Sequence, residues 1–121
     1  MAEYLITFND EWVAEHTPEQ LAAKAAAGRA VIAQMQAEGV LIYCNGALSR
    51  ASVVGYAVAR DGAAEWAEGP FVETEQHVGG FAIVDVEDDV AARLWAERLA
   101  VALDWPQEVQ RFDGPGHRAR P

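Results

Sequence analysis

FAIVDVEDD, residues Phe81 to Asp89, is the stretch on which the fold turns. Its first four residues are apolar without a break, so they read as a strand buried on both sides and not as a half-solvated one, which would alternate. Three acidic residues follow, Glu87, Asp88 and Asp89, and place negative charge where a helix N-terminus favours it. The helix they start is expected from about Asp88 to Leu103, with Ala91, Trp95, Leu99 and Ala102 as its inner stripe, Val90 and Leu94 beside it, and Pro106 as its stop.

Two further runs are almost as continuously apolar, YLITF (Tyr4 to Phe8) and VLIY (Val40 to Tyr43). Between them lies a helix with a defined start. Thr17 caps, Pro18 occupies the first helical position, and Gln20 completes a capping box. The helix runs to about Glu38, and Gly39 stands where a left-handed C-cap is wanted. Its expected core stripe is Leu21, Ala25, Gly28, Ile32 and Met35. Glycine in the middle of a helix costs roughly 1 kcal/mol against alanine, so Gly28 marks either a close backbone approach or a notch that makes room. Ser52 to Ala59 and Ala63 to Ala67 read as strands joined by Asp61-Gly62, a strong hairpin signal. Glu108 to Phe112 reads as a short last strand.

The order strand, helix, several strands, helix, strand gives an α+β domain over residues 1–112, a mainly antiparallel sheet with two helices on one face. Residues 113–121 read as a flexible tail. Two helices cover one face of a sheet whose strands are apolar on both. The other face then calls for a second copy of the chain, packed sheet to sheet as an isologous homodimer.

Composition narrows the partners. Nine Lys/Arg against nineteen Asp/Glu give the 121-residue chain a formal charge of −10, a surface that repels nucleic-acid phosphates. No window approaches the roughly 18 apolar residues of a membrane span, and MAEYLITFND has no signal-peptide pattern. The single cysteine, Cys44, leaves no internal disulfide and suits a reducing cytoplasm.

Asp61-Gly62, Glu68-Gly69-Pro70-Phe71-Val72-Glu73-Thr74, and Gly79-Gly80 leading into Phe81–Asp88 together resemble the YCII-related proteins, most closely their DGPF-domain branch. The resemblance implies a ferredoxin-like fold of the dimeric α/β-barrel superfamily and a site between helix, sheet and residues 69–80. In related members a histidine on the first helix and an aspartate are proposed as an acid/base pair, and some relatives are linked to dehydrohalogenation. Here that histidine falls on Gly28 and the aspartate of DGPF on Glu68, while His77 stands where the family usually has glutamine.

The candidate catalytic residues are His77, as base, and Glu73, four residues earlier, so that one helical turn would place them side by side. Gly28, Gly69, Pro70, Phe71, Thr74 and Gly79 are the candidate ligand contacts. The bland alternative caps a solvent-exposed turn with Glu73 and Thr74 and points His77 at water. Glu73, Glu75 and His77 lack a diagnostic metal-ligand spacing, so neither metal nor cofactor is expected. Arg50 and Arg60 are read as surface residues. The function expected is small-molecule binding in a cleft of a homodimer, with cofactor-free lyase or isomerase chemistry. The alternative is a non-catalytic ligand-binding or interaction module that has lost the histidine at position 28.

Overall fold

The computed structural model describes residues 1–119. Strand β1 (Ala2–Asn9) leads through a short 3-10 turn into α1 (Pro18–Ala37). Strands β2 (Leu41–Asn45), β3 (Gly55–Arg60), β4 (Ala63–Glu68) and β5 (Val78–Val86) follow, then α2 (Asp89–Leu103) and β6 (Glu108–Arg111). The main sheet has the order β2-β5-β1-β6, antiparallel throughout. With β3 and β4 set aside as an inserted hairpin, this is the βαββαβ order of a ferredoxin-like α+β fold.

The local signals act as their chemistry requires. The Thr17 hydroxyl accepts from the Gln20 N–H, and the Gln20 side chain accepts from the Thr17 N–H. Asp88 caps α2 by accepting from the Ala91 N–H. Asp61 and Gly62 both adopt positive φ, 52° and 83°, the geometry that matches a two-residue hairpin turn to the twist of its strands.

The core lies between the helices and one face of the main sheet. Tyr4 and Ile6 of β1, Ala82, Val84 and Val86 of β5, Val31 and Met35 of α1, and Ala92, Trp95, Ala96 and Leu99 of α2 are buried there. Alternate residues, Leu5 and Thr7 of β1 and Ile83 of β5, are only half-buried, and Tyr43 is 52% exposed. One chain thus leaves the second sheet face uncovered, as its almost continuously apolar strands anticipate.

Several details differ from the sequence reading. β3 and β4 pair only with each other, in a separate two-stranded sheet, instead of joining the main one. β3 starts at Gly55, since Ser49 and Ser52 cap each other around a 3-10 turn at Arg50–Ser52. On α2, Val90 and Leu94, expected beside the inner stripe, are 65% and 52% exposed, and Trp66 of the hairpin is 61% exposed. On α1 the packed stripe is Gly28, Val31 and Met35, whereas Leu21 is 47% exposed: the N-terminal half of the helix stands away from the sheet.

Candidate functional site

The space left under α1 is a cavity of about 730 Å³, within the ~300–1,000 Å³ of small-molecule sites. Leu21, Ala25, Gly28 and Ile32 of α1 form its roof, so the residues read as a core stripe are in large part a pocket wall. Phe8 and Trp105, rings 4.6 Å apart and tilted, form an aromatic side wall. The Trp105 indole N–H donates to the Asn9 carbonyl at 2.8 Å, which fixes the ring on the end of β1. Leu99 and Leu103 close the side toward α2.

Gly28 is explained by a neighbour. A Cβ built on it would lie 2.5 Å from Leu103 Cδ2 and 3.2 Å from Cγ. The notch receives the Leu103 side chain, which then also borders the cavity. One end of this wall is tied down by His16. Its ring Nε2 lies 3.1 Å from Asp104 Oδ2 and its Nδ1 2.6 Å from the Ala14 carbonyl, joining the lead-in of α1 to the left-handed C-cap of α2.

The polar groups of the cavity are few. Asp10 follows β1, Asn45 ends β2, Gln107 precedes β6, and Lys24, Arg29 and Gln36 belong to α1. Cys44 also reaches the wall. Burial pushes its thiol pKa up, which favours the neutral thiol over the nucleophilic thiolate.

Of the candidate catalytic and ligand-contact residues, only Gly28 lines this cavity. Residues 69–77 form no helical turn, so the spacing that was to bring Glu73 beside His77 has no effect. Glu73 instead takes a two-pronged contact with Arg50, 3.2 Å to Nε and 2.5 Å to Nη2. The Arg50 guanidinium holds the Glu73 carboxyl below its ordinary pKa.

His77 has a different carboxylate. Its backbone N–H donates to Glu11 Oε2 at 3.0 Å and its Nδ1 lies 2.5 Å from Glu11 Oε1. An ionised carboxylate only accepts, so Nδ1 carries the proton of this contact. The hydrogen bond from His77 lowers the Glu11 pKa. The ring is 18% exposed, and its Nε2 is buried without a hydrogen-bond partner. The His77 carbonyl accepts from the Asp10 N–H at 3.0 Å, so the pair braces the corner from which Asp10 enters the cavity.

The other expected contacts lie on this flank or beyond it. Phe71 is 68% exposed and meets Tyr56 edge-on at 5.1 Å. The Thr74 hydroxyl donates to the Gln76 carbonyl. Gly69 turns the chain with φ 82° and leads into Pro70. Gly79 is buried between the Phe8 ring and Asp10, one layer behind the cavity wall.

A family model for the YCII-related domain matches residues 2–104. The chain belongs to the YCII-related family. The match runs from β1 through the left-handed cap of α2, and so takes in the whole roof of the cavity and the His77–Glu11 brace of this YCII-related protein. No curated protein matches the chain. No helix among the described residues is long and apolar enough to cross a membrane.

Sequence reasoning missed Lys24, Arg29, Glu11, Phe8 and Trp105. For the first two a signal was present. Lys24 is the only lysine of the chain, and neither it nor Arg29 has a carboxylate three or four residues away, the spacing at which a helix pairs its own charges. Glu11 and Trp105 reach their partners across 66 and 96 positions of sequence, and no local pattern encodes that.

Proposed function

We propose that this YCII-related protein binds a small organic molecule in the cavity under α1, and that it does so as a cytoplasmic homodimer. The observation that carries the reading is the cavity itself: a cleft bordered by α1, α2 and the sheet, mainly apolar, with a few polar groups. That composition is what orients a small ligand while burial supplies the affinity. The half-buried face of Leu5, Thr7 and Ile83 supports pairing through the main sheet, in the manner of a dimeric α/β barrel. The Gly69–Thr74 sequence supports placement in the DGPF branch.

Non-catalytic binding is the better-supported form of this function. No histidine lines the cavity, and the position that carries the family's helix histidine is Gly28. A specific observation favours the second reading, cofactor-free acid/base chemistry. His77 has a carboxylate on Nδ1 and a bare Nε2, the arrangement of an oriented base. In that reading Glu11 takes the orienting role first assigned to Glu73. A thermal-shift screen of small aromatic and aliphatic compounds on the wild type and on His77→Ala tests both. Ligands that stabilise the two proteins equally support binding in the cavity without the histidine. Ligands that are turned over by the wild type and not by the variant support chemistry. A screen without a stabilising compound contradicts both.

A further inference from the structure

Most of the lysine and arginine side chains among the described residues have partners within the chain. Arg50 pairs with Glu73, Arg60 with Glu65, Arg93 with Glu97, Arg111 with Asp89, and Arg118 with Glu3 and Asp85. The Arg98 guanidinium lies 4.5 Å from the centre of the Trp95 ring. Among the described residues two Lys or Arg side chains remain without a carboxylate, a hydrogen-bond acceptor or an aromatic face: Lys24 and Arg29. Both border the cavity.

Nineteen acids against nine bases make an unpaired base the exception in this chain. Both exceptions sit on one helix. At about 100° per residue, Lys24 and Arg29 fall on opposite sides of the Leu21–Ala25–Gly28–Ile32 stripe, so they flank the roof of the cavity from its two edges. Lys24 is half-buried there. Lys24, held at the rim of an apolar space with no anion supplied by the protein, has lost water contacts that an anionic ligand would replace with charge-assisted hydrogen bonds, and the exposed Arg29 adds a second positive charge at the other edge.

We propose that the cavity takes an apolar organic monoanion, a carboxylic acid with an aromatic or aliphatic body, whose carboxylate is held by Lys24 and Arg29. The proposal rests on the reading of this cavity as a ligand site and names the ligand class for it. The body lies along Phe8, Trp105 and the Leu99–Leu103 wall. The one acid of the cavity, Asp10, comes from the end of β1 and is not ion-paired with either cation. It disfavours a second negative charge at its end, so a dicarboxylate is rejected by repulsion while a monoanion is accepted. The overall charge of −10 does not decide the matter, because surface charges beyond the Debye length of about 8 Å at physiological salt are largely screened and the two cations are local.

Matched acid and amide pairs separate this proposal from the reading beneath it. Phenylpropanoate and 3-phenylpropanamide, 2-naphthoate and 2-naphthamide, and the dianion 1,4-phenylenediacetate are titrated calorimetrically into the wild type and into Lys24→Met/Arg29→Met. Methionine keeps the apolar stem of each side chain, and circular dichroism verifies the fold. The expected result is that the monoacids bind about tenfold or more tighter than their amides, as loss of a charge-assisted contact implies. The dianion binds more weakly than the monoacids. The double variant binds the amides unchanged and loses the preference for acids. Equal binding of acid and amide to the wild type overturns the proposal and leaves the ligand site standing. An acid preference that survives in the double variant overturns the assignment of the two cations. Binding of neither acids nor amides removes the ligand site and the proposal together.

Discussion

Gly28 and Leu103 should behave as one unit, and a double-mutant cycle reads the coupling directly. Gly28→Ala alone has two opposed effects. Alanine in a helix interior is worth about 0.5–1 kcal/mol over glycine. The new Cβ, however, would stand 2.5 Å from Leu103 Cδ2, where carbon atoms prefer about 3.5–4.0 Å. The Leu103 tip must retreat by about 1 Å into the cavity, at a cost of about 0.5–1.5 kcal/mol for an off-rotamer side chain. The single variant is therefore expected to lie between about 0.5 kcal/mol more stable and about 1 kcal/mol less stable than the wild type, the two contributions largely cancelling. In a Leu103→Ala background the obstruction is gone, and the same Gly28→Ala change should stabilise by its full helix contribution, about 1 kcal/mol. The interaction energy of the cycle is then roughly 0.5–1.5 kcal/mol. Urea unfolding of the four proteins measures it, provided the transitions share one slope. Additivity to within about 0.3 kcal/mol would show that Leu103 does not fill the notch, and the account of Gly28 as its receptor would be wrong.

Three further outcomes are expected. Tyr4→Phe removes a hydroxyl that donates to Asp89 at 2.6 Å from a side chain only 2% exposed; denaturant melts should show a lower midpoint than the wild type, because a hydrogen bond to a charged group is lost, and an unchanged midpoint would mean that the bond is replaced by water. Glu11 and Asp89 have pKa values lowered in the fold, by the His77 hydrogen bond and by the Tyr4 and Arg111 hydrogen bonds respectively; their stabilising contributions are complete above the unfolded carboxylate pKa and vanish as the pH falls through the folded one. The melting temperature should accordingly fall on acidification through the carboxylate range, less steeply in Glu11→Gln and in Asp89→Asn, whereas variants with the wild-type slope would remove these two groups from the pH response. Ile83→Glu places a charge on the uncovered sheet face without touching the buried one; light scattering should show a dimeric wild type and a monomeric, folded variant, and a wild type already monomeric at micromolar concentration would refute pairing through the sheet.

The elements of this fold were legible wherever a local interaction decides them. Thr17, Pro18 and Gln20 fix the start of α1 within four residues, and Asp61-Gly62 fixes the hairpin within two. The almost continuously apolar runs at Tyr4–Phe8 and Phe81–Val84 gave the central pair of strands, which are hydrogen-bonded neighbours in the sheet. The separate β3–β4 sheet was not legible, because which strands share a sheet depends on edges occupied by distant segments. The site divides in the same way. Gly28 stood out as a helix-interior glycine on an apolar stripe, and it does border the cavity. The stripe itself misled, since a pocket roof and a packed core show the same periodicity. Glu73 and His77 were paired on the assumption of a helical turn that residues 69–77 do not form. Their actual partners, Arg50 and Glu11, lie 23 and 66 positions away.

The claim on which the functional account rests is that the space beneath α1, and not the loop over residues 69–77, receives the ligand. Amide chemical shifts of the ¹⁵N-labelled protein, followed while an apolar carboxylic acid is added, test it most directly. The account predicts saturable changes along Leu21–Gln36 and at Phe8, Cys44 and Trp105. Changes confined to Phe71–His77, or none along α1 for any acid or amide tried, would contradict it.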